Sequence, residues 1–321
     1  MGHGMRAAVA CALAALVGCA VPGGEAVPGS ASTVTALVEP SAGAIGDTDF
    51  FVDPQSAPAR QVREYTAAGR TADAAQLDEI ARQPLPFRPA GEPDRAALDV
   101  RDYVGRASEA GQQPLLVVAD LGGEPCAADP EAYRARLDPV IAGLGDTSST
   151  VVLEPGAAAA TTACPDARAL LADAVTVLAS AGATVYLDAG PLEPGSDLNA
   201  LAVALRGSGV AEGHGFSVNV GATRSTEEAV ALGSRLSALL DGAPFVVDTS
   251  RNGAPDGAAT SCNPPQAALG PPPTTRTGTP GVDAFLWIAV PGASDGACRP
   301  GEPPAGQWWP EYALGVAERS R

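Results

Sequence analysis

The 321-residue chain has no lysine and only two histidines, His3 and His214. Without lysine, the protein cannot form a Schiff base or complete a phosphate-binding loop that depends on this residue. One histidine in the body of the chain cannot build a multi-histidine metal site, and it argues against a serine–histidine–aspartate triad. We therefore expect no metal site and no cofactor.

Aromatic residues are also scarce, at 4% of the sequence, whereas 45% of the residues are apolar. This apolar share suffices for a substantial core and excludes wholesale disorder. All 20 basic residues are arginines, and 37 acidic residues bring the net charge to −17. A chain this acidic, with no basic run, is a poor candidate for binding nucleic acid or an anionic membrane surface. Its length accommodates two domains of about 150 residues or one α/β barrel.

Residues 1–18 have the pattern of an export signal. A short basic start precedes an apolar run from Ala7 to Val17, which is too short to span a bilayer. The run ends in Leu16-Val17-Gly18-Cys19, which resembles a bacterial lipobox. This pattern predicts that Cys19 carries a lipid and anchors the protein on the outer face of a membrane. An ordinary signal peptide cut near Ala20, which would give a secreted protein, is the alternative.

Residues 19–48 are rich in glycine, proline, alanine and serine and have no helical or strand period. They predict a flexible tether, which leaves 49–321 as one folded domain. Four cysteines remain in that domain, and in an exported chain they predict two disulfides with three possible pairings. These cysteines are Cys126, Cys164, Cys262 and Cys298.

Apolar, β-branched runs alternate along the domain with stretches of helical periodicity. Continuous apolar runs are typical of strands buried on both faces. Asp129-Pro130 and the pair Ser225 and Glu228 mark two helix starts. The alternation predicts a parallel sheet, either closed as a barrel or open and doubly wound. The predicted strands are Leu115–Asp120, Val151–Glu154, Thr184–Asp188, Phe216–Val220, Phe245–Thr249 and Phe285–Val290, with a further short strand at Phe50–Val52.

Polar side chains stand at the ends of five of these runs. In a parallel barrel, the carboxyl ends of the strands share one mouth, where active sites are built. Acidic residues also occur at strand ends as simple helix caps, but five in register favour a polar cleft at the mouth. The five residues are Asp120, Glu154, Asp188, Asn219 and Asp248.

Longer motifs occur at Phe245–Gly253, Cys262–Pro265, Thr277–Ile288, Ser294–Gly296 and Pro304–Tyr312. These segments resemble glycoside hydrolase family 6, which comprises β-1,4-endoglucanases and cellobiohydrolases. The resemblance implies a distorted parallel (β/α) barrel of TIM-like type and inverting hydrolysis of β-1,4-glucan. It also implies two disulfides, Cys126–Cys164 and Cys262–Cys298.

The resemblance also implies where the catalytic groups should stand. An inverting glycosidase uses one carboxylic acid to protonate the leaving oxygen and a second carboxylate to activate water. In the family, the acid directly follows a Glu-Pro pair, and in this chain that position is Gly156. Asp295 occupies the position of the candidate base. The expected substrate-binding residues are Asp120, Asp188, Asn219, Asp248, Arg251, Asn252 and Trp308.

Further family positions have lost their charged or aromatic side chains. The family's Arg-Asp before a cysteine is Glu124-Pro125 here, its Lys-Arg pair is Ala289-Val290, and the glutamate before Ser-Asp is Ala293. General acid catalysis contributes about 10²–10⁴-fold, which a glycine cannot supply. We therefore expect a monomeric pseudoenzyme of the cell surface that binds β-1,4-glucan or another envelope glycan with weak or no turnover.

Two alternatives stay open. The first is an active inverting β-1,4-glucanase whose proton donor has moved to Glu124, Asp129 or Glu193. Such a group needs a raised pKa and an accurate position at the glycosidic oxygen. The second is a purely structural protein of the cell envelope.

Overall fold

The computed structural model describes Met1 and residues 45–119, 121, 124–193, 195–254 and 262–320. The predicted signal peptide with Cys19, nearly all of the predicted tether, and Asp120 lie outside the described residues. Ile45 is already buried in the core, four residues before the predicted start of the domain. Within the described ranges, no helix is both long enough and apolar enough to cross a membrane.

The domain begins with three helices and then alternates strands with helices. The helices are α1 (Ala57–Ala67), α2 (Thr71–Ala81), α3 (Pro93–Glu109), α4 (Pro130–Leu144), α5 (Ala157–Ala160), α6 (Pro165–Ser180), α7 (Leu198–Gly207), α8 (Val210–Gly213), α9 (Thr226–Leu239) and α10 (Pro310–Glu318). The strands are β1 (Leu115–Val118), β2 (Ser149–Leu153), β3 (Ala183–Asp188), β4 (His214–Val218), β5 (Phe245–Asp248) and β6 (Val282–Leu286).

The six strands form one parallel sheet in the order β1 to β6, curled into a half-barrel with helices around it. A doubly wound sheet reverses its strand order at a switch point, and this sheet does not. The predicted barrel-type fold is therefore confirmed. The predicted strand at Phe50–Val52 is reduced to a single parallel bridge between Phe50 and Gln113, and Phe87 forms a second such bridge beside β1.

Both faces of the sheet are buried, as the continuous apolar runs predict. Leu116 and Val118 of β1 point to the layer between the sheet and the helices. Leu115 and Val117 point to the inside of the half-barrel, where they pack with Tyr186. Burial on both faces explains why the strands read as apolar runs rather than as alternating patterns.

The predicted helix starts are present. Asp129 Oδ1 accepts the backbone N–H of Glu131 at 2.9 Å at the start of α4. Ser225 Oγ accepts the N–H of Glu228 at 3.3 Å at the start of α9. Each side chain satisfies a backbone donor that the first helical turn leaves without a partner.

The strands end earlier than predicted at the carboxyl edge of the sheet. Both β4 and β6 lie two or more residues closer to the N-terminus than their apolar runs suggest. Asn219 and Glu154 have φ angles of 66° and 50°, in the left-handed region that an extended strand does not use. These residues therefore turn the chain out of the sheet directly after β4 and β2.

His214 belongs to a polar network inside the half-barrel. Its Nε2 lies 2.8 Å from Asp283 Oδ2, and the Tyr186 hydroxyl donates to the same oxygen at 2.6 Å. His214 and Asp283 start β4 and β6, so the network is at the amino-terminal part of the sheet, away from the strands' carboxyl ends. The histidine of the domain is thus a satisfied structural residue.

Candidate active-site cleft

A cleft of about 500 Å³ opens at the carboxyl ends of the strands, where the polar strand ends predict an active site. Its walls come from the loops that follow β2, β4, β5 and β6. Pro155, Gly221, Ala289 and Ala293 line much of its surface. Among the described residues, the charged side chains that line it are Arg88, Arg251 and Asp295.

The candidate base Asp295 is held in this cleft by a buried arginine. Arg251 Nη1 and Nη2 each lie 2.9 Å from an oxygen of Asp295, in a two-pronged pair. Burial alone would lower the pKa of Arg251, but the charge and hydrogen bonds of Asp295 outweigh it and the pKa is raised. Arg251 therefore stays charged and fixes the orientation of a carboxylate whose side chain is 28% exposed.

Asn263, which is not among the predicted site residues, completes the support of Asp295. Its backbone N–H donates to Asp295 Oδ2 at 2.8 Å, and its Oδ1 accepts the Asp295 N–H at 2.7 Å. Asn263 directly follows Cys262, whose disulfide to Cys298 joins this loop to the loop of Asp295. The neighbouring disulfide was the available signal, because it places the two loops side by side.

Gly156, at the position where the family resemblance implies the catalytic acid, has a backbone role. Its φ angle of 88° lies in the left-handed region, and its N–H donates to Asp188 Oδ2 at 2.7 Å. A Cβ atom at this position would meet no heavy atom within 4 Å. The loop therefore has space for a side chain, although a residue other than glycine would strain its backbone.

Asp188, which accepts the N–H of Gly156, uses both of its carboxylate oxygens in hydrogen bonds within the protein. Oδ2 also accepts the Gly190 N–H at 2.9 Å, while Oδ1 accepts the Ser217 hydroxyl at 2.7 Å. The residue is only 1% exposed. Burial raises the pKa of Asp188 to about 6, against the lowering effect of these hydrogen bonds.

The raised pKa predicts a specific pH dependence of stability. Because the folded-state pKa is higher than the unfolded one, the contribution of Asp188 is fully present below pH 4 and is lost as pH rises through about 6. Relative to Asp188→Asn, the wild-type free energy of unfolding should fall by about 2 kcal/mol between pH 4 and pH 7. Urea unfolding of both proteins across this range tests the expectation, and parallel curves would contradict it.

Asp248 is likewise buried, and it organises three loops at once. Its oxygens accept the backbone N–H groups of Gly221, Ser250, Ile288 and Ala289 at 2.8–3.2 Å. Burial raises its pKa, and the N–H groups of Gly221, Ser250 and Ala289 counteract this. Asp248 therefore holds the loops that form the walls of the cleft, and it is not itself one of the lining residues.

The predicted substrate-binding residues divide into two groups. Asn219 and Asn252 are buried and donate their side-chain N–H groups to protein oxygens, both of them to the carbonyl of Arg224. These two asparagines and the two buried aspartates therefore support the loops around the cleft, and their contact with a sugar stays a prediction. Arg251 lines the main cleft and Trp308 lines an adjoining cavity, so for these two a direct contact stays a prediction.

The three carboxylates that the sequence offers as alternative proton donors, Glu124, Asp129 and Glu193, are all exposed. Asp129 caps α4 through its Oδ1. Glu193 pairs with Arg224 at 2.5 Å and its side chain is half exposed. None of them is enclosed in an apolar pocket, where the acid of a glycosidase typically lies. Glu154 is buried, but its Oε1 accepts the N–H of Leu121 at 3.0 Å.

Both disulfides have the pairing that the family resemblance implies, Cys126–Cys164 and Cys262–Cys298. The first joins the segment before α4 to the segment before α6. Among the described residues, the one group of metal-ligand type is Cys262, Cys298 and Glu302. Two of its three donors are sulfurs that the disulfide already uses.

A comparison with known protein families settles the relationship that the sequence motifs and this cleft suggest. Residues 45–320 match the family model described as glycosyl hydrolases family 6. The chain belongs to glycoside hydrolase family 6. It is 36% identical over 289 residues to Endoglucanase A of Cellulomonas fimi, covering 85% of this chain and 61% of that protein. It is 33% identical to Endoglucanase A of Thermobispora bispora, covering 84% of this chain and 63% of that protein. The chain thus spans about three fifths of these relatives.

Solved structures of family 6 enzymes have the same fold. The endoglucanase Cel6 from Mycobacterium tuberculosis, in complex with methyl-cellobiosyl-4-deoxy-4-thio-β-D-cellobioside, aligns with a TM-score of 0.73 at 36% identity. The alignment covers 85% of this chain and 97% of that one. The catalytic core domain of the cellobiohydrolase Cel6A from Chaetomium thermophilum aligns with a TM-score of 0.71 at 20% identity, which shows a shared fold.

Proposed function

We propose that this family 6 member binds β-1,4-glucan at the mouth of its half-barrel and does not hydrolyse it. The observation that carries the proposal is Gly156, which directly follows Glu154 and Pro155 and offers only a backbone N–H. Inverting hydrolysis needs two carboxyl groups on opposite sides of the glycosidic bond. Among the described residues that line the main cleft, Asp295 is the only carboxylate.

Three features support retained binding. The main cleft is open, and a second cavity of about 380 Å³ continues it, sharing Arg88, Val290, Ala293 and Gly306 with it. The second cavity adds the aromatic side chains of Phe87 and Trp308, the kind of surface on which sugar rings stack. The related Mycobacterium tuberculosis Cel6, at 36% identity, holds a thio-linked cello-oligosaccharide derivative in its structure.

Titration calorimetry with cellohexaose tests the binding half of the proposal. We expect saturable binding that Trp308→Ala weakens about tenfold, because an aromatic contact contributes on the order of 1 kcal/mol or more. Trp309→Ala is the matched control, since Trp309 packs on Tyr312 with ring centroids 5.4 Å apart and lines neither cavity. Absence of any binding by the folded wild-type protein would instead indicate a purely structural role.

The proposal also places the protein outside the cell, held by a lipid on Cys19. Two disulfides suit an oxidising compartment, and Leu16-Val17-Gly18-Cys19 supplies the lipobox-like signal. We expect Cys19→Ala to move the protein from the membrane fraction to the culture medium. Cys11→Ala, inside the signal peptide, is the matched control and should leave the protein with the membranes. A wild-type protein found in the medium would exclude the anchor.

A further inference from the structure

The second cavity brings several arginines together in an otherwise acidic protein. Four arginines line it: Arg60 on α1, Arg95 and Arg106 on α3, and Arg88 where it meets the main cleft. Three aspartates line it as well, all on α3 or just before α1. Among the described lining residues, arginines therefore outnumber carboxylates by four to three, in a chain whose net charge is −17.

The aspartates neutralise only part of this charge. Arg106 pairs with Asp53 at 3.0 Å and also with Asp102. Arg95 pairs with Asp99 at 2.8 Å, one helical turn away and partly exposed. Arg60 is exposed, and its Nη1 donates to the backbone carbonyl of Gln55 instead of a carboxylate. Within the described part of the chain, the cavity thus presents a guanidinium that no carboxylate side chain pairs.

The two cavities adjoin through their shared residues and together form one groove, so sugars that continue beyond the main cleft would approach the arginines. We propose that the glycan bound here carries carboxylate groups, as a β-1,4-linked uronic-acid glycan does, and that Arg60 recognises them. A guanidinium offers paired N–H donors whose geometry matches a carboxylate, which a neutral glucose unit lacks. Phe87 also lines the cavity and supplies an apolar surface beside these charges. Its ring stacks on that of Tyr103, with the ring centroids 4.9 Å apart.

This inference rests on the proposed glycan-binding function and narrows its ligand. The test measures the affinity of the mature protein for β-1,4-linked hexaglucuronate, cellohexaose and free glucuronate by titration calorimetry. We expect hexaglucuronate to bind at least about tenfold more tightly than cellohexaose, with an affinity that falls as salt rises. Free glucuronate should bind far more weakly, since it cannot occupy the length of the groove.

Charge variants decide which residues are responsible. Arg60→Gln should weaken hexaglucuronate binding about five- to tenfold and leave cellohexaose nearly unchanged, because Arg60 lines the second cavity and not the main cleft. Arg63→Gln is the matched control, because Arg63 is an exposed arginine of the same helix that does not line the cavity. Asp99→Asn should tighten hexaglucuronate binding about two- to threefold, because it releases Arg95 and removes a negative charge.

The outcomes separate this inference from the function on which it rests. Tighter binding of hexaglucuronate that depends on Arg60 supports the inference. Equal or tighter binding of cellohexaose, with no effect of Arg60→Gln, overturns the inference and leaves glucan binding standing. Binding of neither oligosaccharide overturns both. Binding of hexaglucuronate alone supports the inference and overturns the binding of neutral glucan.

Discussion

Purified protein is expected to release no reducing sugar from cellohexaose or carboxymethyl cellulose above the background of its own Asp295→Asn variant. The departing sugar needs a proton, and the position after Pro155 supplies none because Gly156 has no side chain. Loss of a general acid costs about 10²–10⁴-fold in rate. Asp188 does not replace it, since its two oxygens are buried and already accept three hydrogen bonds.

Two controls make this result interpretable. Asp295→Asn removes the candidate base while keeping a side chain of the same shape next to Arg251. Gly156→Asp restores a carboxyl group at a position where a Cβ has open space, so any turnover gained by this variant identifies the carboxyl as the limiting loss. Its left-handed backbone should cost about 1 kcal/mol of stability. Wild-type hydrolysis that Asp295→Asn abolishes would contradict the proposed loss of activity.

Replacement of Asp248 by alanine is expected to destabilise the domain severely. The change leaves four backbone N–H groups, those of Gly221, Ser250, Ile288 and Ala289, without their acceptor. A buried donor without a partner costs about 1–3 kcal/mol, so the free energy of unfolding should fall by about 4 kcal/mol or more. Since domains of this size have total stabilities of about 5–15 kcal/mol, much of the variant should be unfolded near 37 °C.

Urea unfolding followed by circular dichroism measures the effect. Asp78→Ala serves as the matched control, because Asp78 is half exposed on α2 and its ion pair with Arg82 spans 3.9 Å. The control should change the free energy of unfolding by no more than about 0.5 kcal/mol. A similar small effect of Asp248→Ala would show that water satisfies the four N–H groups and that the loops do not depend on this carboxylate.

Sequence patterns predicted the sheet well and its exact strand ends poorly. The apolar runs marked all six strands because β-branched residues buried on both faces leave a continuous signal. The observed strand ends differ from the predicted ones where Glu154 and Asn219 adopt left-handed backbone angles. Residues other than glycine rarely adopt these angles, so the residue type does not predict them. The family motifs predicted both disulfide pairings, which cysteine spacing alone left among three possibilities.

The site was predicted as a set of positions and not as a set of contacts. The polar strand ends do gather at one edge, but Asp188 and Asp248 turn inward to the backbone. A strand end does not reveal whether its carboxylate faces a ligand or the N–H groups of neighbouring loops. Asn263 was missed for the same reason, since its contact with Asp295 joins residues 32 positions apart.

By itself, the sequence determined the family, the parallel sheet, the disulfide cysteines and the glycine that follows Glu154 and Pro155, because each of these depends on residue identity or local pattern. Only the tertiary structure decided which carboxylates accept hydrogen bonds from the protein itself and which one lines the cleft. It alone brought Arg60, Arg88, Arg95 and Arg106 to one cavity from three separate segments. Hydrogen bonds and charge clusters depend on distances between loops, and a linear sequence does not contain those distances.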